Sequence, residues 1–323
     1  MTRRLQMIDF DMVHRLAPWR GLIDGIERAH LLPRPMGERL LMTSRAQGVP
    51  PGEQPDALIL VPAWQPGTAL GVKLVTSFPR NVMRHGLPTV DALYVLFDAE
   101  TGKARTVLDG EALVFRKTAA DTALGARFLA PPDARRLLMV GAGGLAPYVI
   151  AAIRAVRPGL EEARIWNRTP ARADALAQRV AATGMTARTS QDLEADLGWA
   201  DIVISATMAT RPLIRGALVK RGAHVGLIGS FTPDMREGDD ALLARAAVFA
   251  DDRGALVKSG EFTDPIARGV FAEQDLRGDL WDLCRGKVQP PGAGQVTLFK
   301  NGGAPHLDLF TAQHVMESLA REA

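Results

Sequence analysis

Cysteine is almost missing from this sequence: Cys284 stands alone among 323 residues. No intramolecular disulfide can form, which excludes a small stapled, secreted scaffold. A massed charge of one sign is missing too. The 39 basic and 36 acidic residues nearly cancel to +3, and the basic ones are scattered, so no nucleic-acid footprint is expected. Long apolar runs are absent. The longest stretch without a formal charge, residues 137–153, is short for a membrane span and holds three glycines and a proline. Residues 1–16 carry Arg3, Arg4, Asp9, Asp11 and Arg15 with no apolar core behind them. The reading is a cytoplasmic chain with no signal peptide and no membrane partner. The six histidines, His14, His30, His85, His224, His306 and His314, form no pair at zinc-ligand spacing, so no metal site is expected. No G-x-S-x-G elbow or Walker A loop occurs, which removes serine and nucleotide hydrolysis.

What is present fits about two domains at roughly 150 residues each, with apolar content at 47% and so ample material for a core. Residues 9–29 carry Val13, Leu16, Ile23 and Ile26 at helical spacing and predict an N-terminal helix. Residues 57–61, 71–76, 92–97 and 104–108 are β-rich runs bounded by Gly, Pro and Asp, the pattern of an antiparallel or mixed sheet. The alanine-rich residues 118–129 predict a helix that Pro131-Pro132 ends. From residue 136 onward strands and helices alternate: 137–140, 146–156, 163–166, 171–183, then strands 202–205, 224–228 and 247–250. That alternation implies a parallel sheet covered on both faces. Residues 289–295 form a Pro/Gly linker, and 305–320 predict a final helix.

The strongest motif is Gly141-Ala-Gly143-Gly144-Leu145-Ala146, between a predicted strand and a predicted helix. The first glycine permits a tight turn and the second lets backbone approach a pyrophosphate. Ala146 takes the third, helix-packing position. At the end of the next strand, Trp166-Asn167-Arg168-Thr169 puts Asn167 where an acid would hold the ribose hydroxyls. Arg168 can pair with a 2′-phosphate instead, so NADP(H) is expected ahead of NAD(H). Thr169-Pro170 also suits a helix cap and first helical residue, and the two readings are compatible. Thr207 and Ser230 are further expected cofactor contacts. Asp234 sits in a loop after another of these strands, where α/β sheets gather ligands; a loop aspartate after proline is also an ordinary turn former.

Taken together, several blocks resemble the ornithine cyclodeaminase/μ-crystallin family: Gly71-Val-Lys73-Leu-Val-Thr76, Gly86-Leu-Pro-Thr89, Leu96-Phe-Asp98, Thr118-Ala-Ala, the glycine loop, Trp166-Asn-Arg-Thr169, Gly229-Ser-Phe-Thr-Pro-Asp234-Met and Leu298-Phe-Lys300. The set runs in family order over most of the chain. The resemblance implies an α/β protein in which a Rossmann-type parallel-sheet domain, residues 119–297, is inserted into a smaller α+β domain. That smaller domain, residues 1–118 with 298–323, would bind substrate and form a homodimer. It also implies hydride transfer at the carbon bearing nitrogen in an amino acid or cyclic imine. The family's catalytic aspartate falls on Asp234, its carboxylate-binding lysine on Lys73, and its upstream arginine on Arg45. At the family's Arg-Thr, this chain has Arg116-Lys117-Thr118, so either Arg116 or Lys117 grips the carboxylate, and a lysine there lacks the arginine fork. The acid that ornithine cyclodeaminases use near the distal amine aligns with Leu60. The tail Lys300-Asn-Gly-Gly-Ala-Pro-His306-Leu-Asp308 departs from the common form, with His306 or Asp308 as pocket residues.

The expected function is NADPH-dependent reduction of a cyclic ketimine, a pyrroline- or piperideine-2-carboxylate. Asp234 would handle the proton on nitrogen, and Lys73, Arg45 and Lys117 or Arg116 would hold the carboxylate. Three alternatives remain at this stage. One is an ornithine cyclodeaminase that forms proline and ammonia. Another is an open-chain amino-acid dehydrogenase. The third is a non-catalytic NADPH-dependent ligand-binding protein.

Overall fold

The computed structural model describes residues 5–44 and 55–322. It divides into two compact units, residues 1–117 with 304–323 and residues 118–303.

The first unit holds β1 (Gln6–Ile8), α1 (Phe10–Leu16), α2 (Trp19–Ala29), β2 (Met36–Gly37), β3 (Leu40–Thr43), β4 (Ala57–Gln65), β5 (Ala69–Ser77), α3 (Asn81–His85), β6 (Val90–Phe97) and β7 (Ala104–Asp109). The single predicted N-terminal helix is two helices. Asp9 caps the first by accepting from the Met12 N–H at 2.9 Å. Pro18 ends it, because Ala17 before a proline is kept out of helical geometry (φ −118°, ψ 61°). The helix α4 (Gly110–Leu129) starts well before the predicted residue 118. Its start signal is Asp109, whose carboxylate accepts the Ala112 N–H at 2.8 Å. The division between the units falls inside α4, after Lys117.

Six strands run in the order β1-β7-β6-β5-β4-β2, with β3 also on β4, antiparallel except for β1 against β7. Register decides which side chains meet. Lys73 pairs with Val61 on one side and Tyr94 on the other, and Tyr94 pairs with Leu108. Directly paired residues share a face, so Ile59, Val61, Val75, Ala92, Tyr94 and Leu108 lie on the face of Lys73. Tyr94 folds over Gly71, where a Cβ would come within 2.6 Å of its ring, so only glycine fits there. Leu60 pairs with Leu74 and therefore points to the opposite face, with Trp64 and Leu93. This corrects the expectation that Leu60 sits near a substrate held by Lys73.

The second unit continues with β8 (Arg136–Val140), α5 (Ala146–Val156), β9 (Glu162–Trp166), α6 (Pro170–Ala181), β10 (Thr186–Thr189), α7 (Leu193–Trp199), β11 (Ile202–Ser205), β12 (His224–Leu227), α8 (Asp240–Arg245), β13 (Ala247–Ala250), α9 (Gly260–Ala267), β14 (Leu276–Asp279), α10 (Leu280–Cys284) and β15 (Thr297–Lys300). Its eight strands are all parallel in the order β10-β9-β8-β11-β12-β15-β13-β14. The chain starts at β8 and winds both ways, so the order reverses between β8 and β11, the usual place for a dinucleotide. β11, β12, β13 and β15 are buried at every position, as expected of strands covered on both faces. Residues 298–303, expected with the smaller domain, belong here, because β15 is hydrogen-bonded to β12 and β13 on its two sides. The chain then returns to the first unit as α11 (Pro305–Glu322), which packs on α2, β4 and β5. Among the described residues no helix is long and apolar enough to cross a membrane.

Candidate active site

In the second unit, β8 ends at the glycine loop and α5 begins at Ala146. Gly141 has φ +105°, and a Cβ there would lie 2.5 Å from the Ala206 carbonyl, so the turn requires glycine. A Cβ on Gly143 would meet nothing within 4 Å. That open side lets a phosphate approach the backbone. The N–H groups of Gly143, Gly144 and Leu145 have no acceptor among the described residues, which makes the start of α5 an anion cradle. Asn167 pins this loop. Its Oδ1 accepts the Ala142 N–H at 3.1 Å, and its amide donates to the Thr169 carbonyl at 2.9 Å. Arg168 is exposed and makes no ion pair among the described residues, and Thr169 begins α6 without using its hydroxyl as a cap. These donors suit a dinucleotide.

Two expected cofactor contacts are otherwise engaged. The Thr207 N–H and hydroxyl both donate to Glu237 Oε1 at 2.8 Å, where Ser205 Oγ also donates at 2.6 Å. Ser230 is wholly buried at φ +59°. Its hydroxyl donates to the Met235 carbonyl and lies 3.0 Å from Ser259 Oγ, so it shapes the loop from within. Asp234, in the same loop, is exposed and accepts from Thr232 Oγ1 at 2.6 Å. That hydrogen bond holds its carboxyl below the ordinary range. At neutral pH it is an anion.

Beneath these loops lies a buried charge network that the sequence did not announce. Lys300 is fully buried and donates to the carbonyls of Leu227, Ile228, Gly229 and Asn301. Glu261 accepts the N–H groups of Glu237 at 2.9 Å and Gly238 at 2.8 Å. Burial, with the Glu237 charge adding to it, pushes the Glu261 carboxyl up to about 7.

In the first unit, Lys73 Nζ donates to Asp308 Oδ2 at 2.7 Å, and the Asp308 side chain is 0% exposed. Burial lowers the Lys73 pKa, Asp308 raises it, and Lys117 and Arg39 lower it further. Lys117 is 4% exposed and makes no hydrogen bond or ion pair among the described residues. Arg116 turns elsewhere. Its guanidinium donates to His14 Nδ1 at 2.7 Å and the His14 carbonyl at 2.8 Å, and stacks over Trp19. Lys117, not Arg116, therefore stands with Lys73. His306 is buried against His30 and Phe310, and burial holds its imidazole well below the ordinary value. The imidazole is neutral and packs edge-on against the His30 ring. Tyr94 is buried beside Lys73, and its hydroxyl has no hydrogen-bond partner among the described residues. Arg45 lies outside the described residues. Among the described residues no cluster could hold a metal ion.

Comparison with known proteins adds to this geometry. The model of the ornithine cyclodeaminase/mu-crystallin family matches residues 28–323. The chain is 40% identical over 312 residues to a Delta(1)-pyrroline-2-carboxylate reductase of Paracoccus denitrificans, covering 96% of this chain and 95% of that protein. It is 33% identical over 271 residues to the ketimine reductase mu-crystallin of Rattus norvegicus, covering 84% and 83%. Among solved structures, the iminosuccinate reductase of Paracoccus denitrificans in complex with NAD+ superposes with a TM-score of 0.88 at 26% identity, covering 99% of this chain and 98% of that one.

Proposed function

Because the chain belongs to the ornithine cyclodeaminase/mu-crystallin family, as an oxidoreductase working with a nicotinamide cofactor, we propose that it reduces a cyclic ketimine with NADPH. Pyrroline-2-carboxylate or piperideine-2-carboxylate is the substrate, and L-proline the product in the first case. The observation that carries this choice is the sheet face around Lys73. Two cations, Lys73 and Lys117, stand there with one carboxylate, Asp308, which Lys73 already engages. The other side chains on that face next to Lys73 are Ile59, Val61, Val75, Ala92 and the ring of Tyr94. Such a surface accepts one carboxylate and a methylene ring. The distal ammonium of ornithine would meet no acid, and burying it unpaired costs several kcal/mol.

Lys73 and Lys117 hold the substrate carboxylate, joined by Arg45. Asp234, an anion near neutrality, favours the protonated imine, which makes the ring carbon a better hydride acceptor. NADPH, when bound, supplies the hydride. The loop from Gly141 to Ala146 takes its pyrophosphate, and Arg168 and Thr169 take the 2′-phosphate that Asn167 leaves room for.

The protein acts as a homodimer. The sheet face opposite Lys73 exposes Met7, Met36, Trp64 and Leu93, an apolar patch of the kind that a second copy covers. Leu60 belongs to that face. Trp64→Glu is expected to give single chains on a sizing column.

The deciding experiment is an assay of pyrroline-2-carboxylate, piperideine-2-carboxylate and L-ornithine, read by absorbance of the reduced nicotinamide and by ammonia release. Turnover of a cyclic imine at least about a hundredfold above ornithine, roughly 2.7 kcal/mol in kcat/KM, supports the reading. Ammonia and proline from ornithine with NAD+, with no imine reduction, would reverse it. Binding of NADPH and imine without oxidation would make the chain a binding protein.

A further inference from the structure

Lys73 is drawn out of water onto an apolar sheet face, and its nearest charged neighbours other than Asp308 are the cations Lys117 and Arg39. Burial and like charge both favour loss of its proton. A neutral amine cannot hold a carboxylate by charge. One group opposes this: Asp308, in the first turn of the 18-residue α11, with one oxygen 2.7 Å from Lys73 Nζ. The start of a helix is a favourable place for a negative charge. Tyr94, paired with Lys73 across the strands, is held neutral by burial and by the Asp308 charge. Among the described residues, the charged and titratable groups facing Lys73 are Asp308, Lys117, Arg39 and Tyr94, and Asp308 is the one acid. An ammonium has three N–H groups, and Asp308 takes one, leaving two for a ligand.

We propose that Asp308 is a positioning residue that acts through Lys73, fixing the direction and the charge of the ammonium that meets the substrate. This rests on Lys73 as a substrate-binding group. A purely stabilising pair would be dispensable, since buried ion pairs often break even against apolar replacements. A positioning pair must instead show in how Lys73 titrates.

The test compares the full-length enzyme with Asp308→Asn, which keeps the shape and removes the charge, or with Asp308→Ser should the amide fail to fold. The basic limb of kcat/KM for pyrroline-2-carboxylate is expected to move down by about one to three pH units, the usual effect of a nearby opposite charge. KM should rise more than kcat falls. In a Lys73→Arg background the guanidinium does not titrate, and Asp308→Asn should leave the profile where it stands. A second readout needs no turnover. The 13Cε shift of Lys73 in lysine-labelled protein, assigned through Lys73→Arg, should titrate at lower pH in Asp308→Asn. If both the limb and the NMR midpoint stay at the wild-type pH, the proposal is overturned and Asp308 is structural. If wild type turns over no cyclic imine, the functional reading fails, and the NMR midpoint alone still decides the role of Asp308.

Discussion

Each unit of the molecule draws a lysine out of water, and the two lysines end in opposite states. Lys300, in the parallel-sheet unit, has every N–H engaged by the carbonyls of Leu227, Ile228, Gly229 and Asn301. Lys73, in the smaller unit, donates to a single carboxylate, and its side chain keeps 13% of its exposure. The first ties strand ends together; the second has N–H groups with no acceptor among the described residues. What a buried cation does can be read from how many of its protons already have an acceptor.

The largest effect that would test this contrast is expected from Lys300→Met. It leaves four carbonyls and the buried Glu237 and Glu261 without their cation, a loss of about 3–5 kcal/mol. Urea unfolding measures it, and a variant as stable as wild type would break the comparison. Next comes the double variant Lys73→Met with Asp308→Leu. Because both charges leave together, stability should stay within about 1 kcal/mol or rise. kcat/KM should nonetheless fall about 30- to 1,000-fold, from the roughly 2–4 kcal/mol that a charge pair with substrate contributes. No equivalent double variant exists for Lys300, whose partners are backbone.

Arg168 extends the comparison to a cation that is exposed and unengaged among the described residues. Arg168→Ala should weaken NADPH binding about 10- to 150-fold, or roughly 1.5–3 kcal/mol, and leave NADH binding nearly unchanged. Titration of both cofactors checks it. Equal losses for both would remove the phosphate role.

The smallest effect concerns Glu261 beside Lys300. Burial, the largest cause, raises its carboxyl from 4.5 to about 7, so the native state holds that proton more tightly than the unfolded chain. Its contribution to stability is therefore full below about 4.5 and is lost as pH rises through about 7. The difference in Tm between wild type and Glu261→Gln should shift against wild type across that window and level off above it. A constant difference would mean that Glu261 titrates normally.

Much of the cofactor half was legible in the sequence, because its signals are local. Gly141 must adopt a conformation that other residues resist, and the strand before it and the helix after it carry distinct periods. The placement of Leu60 failed for a reason equally physical. Facing alternates with every residue, so the side on which Leu60 points depends on the pairing of β4 with β5, which the turn sets and the alignment does not. Arg116 and Lys117 are neighbours in sequence, yet one reaches His14 and Trp19 while the other stands near Lys73; helix rotation divided them. Glu237, Glu261 and Lys300 became a network only once three separate segments met, and no spacing encodes that. Pro18, by contrast, was a visible break inside the predicted N-terminal helix, and the apolar period across it masked the break.

The sealed ammonium of Lys300 also makes it a chemical clock. An acylating or carbamoylating reagent attacks only the free amine of a lysine it can reach, and this one has neither solvent contact nor an uncommitted proton. Its labelling must wait until β12 and β15 part, so the rate at which its mass changes in native buffer would measure how often that sheet opens.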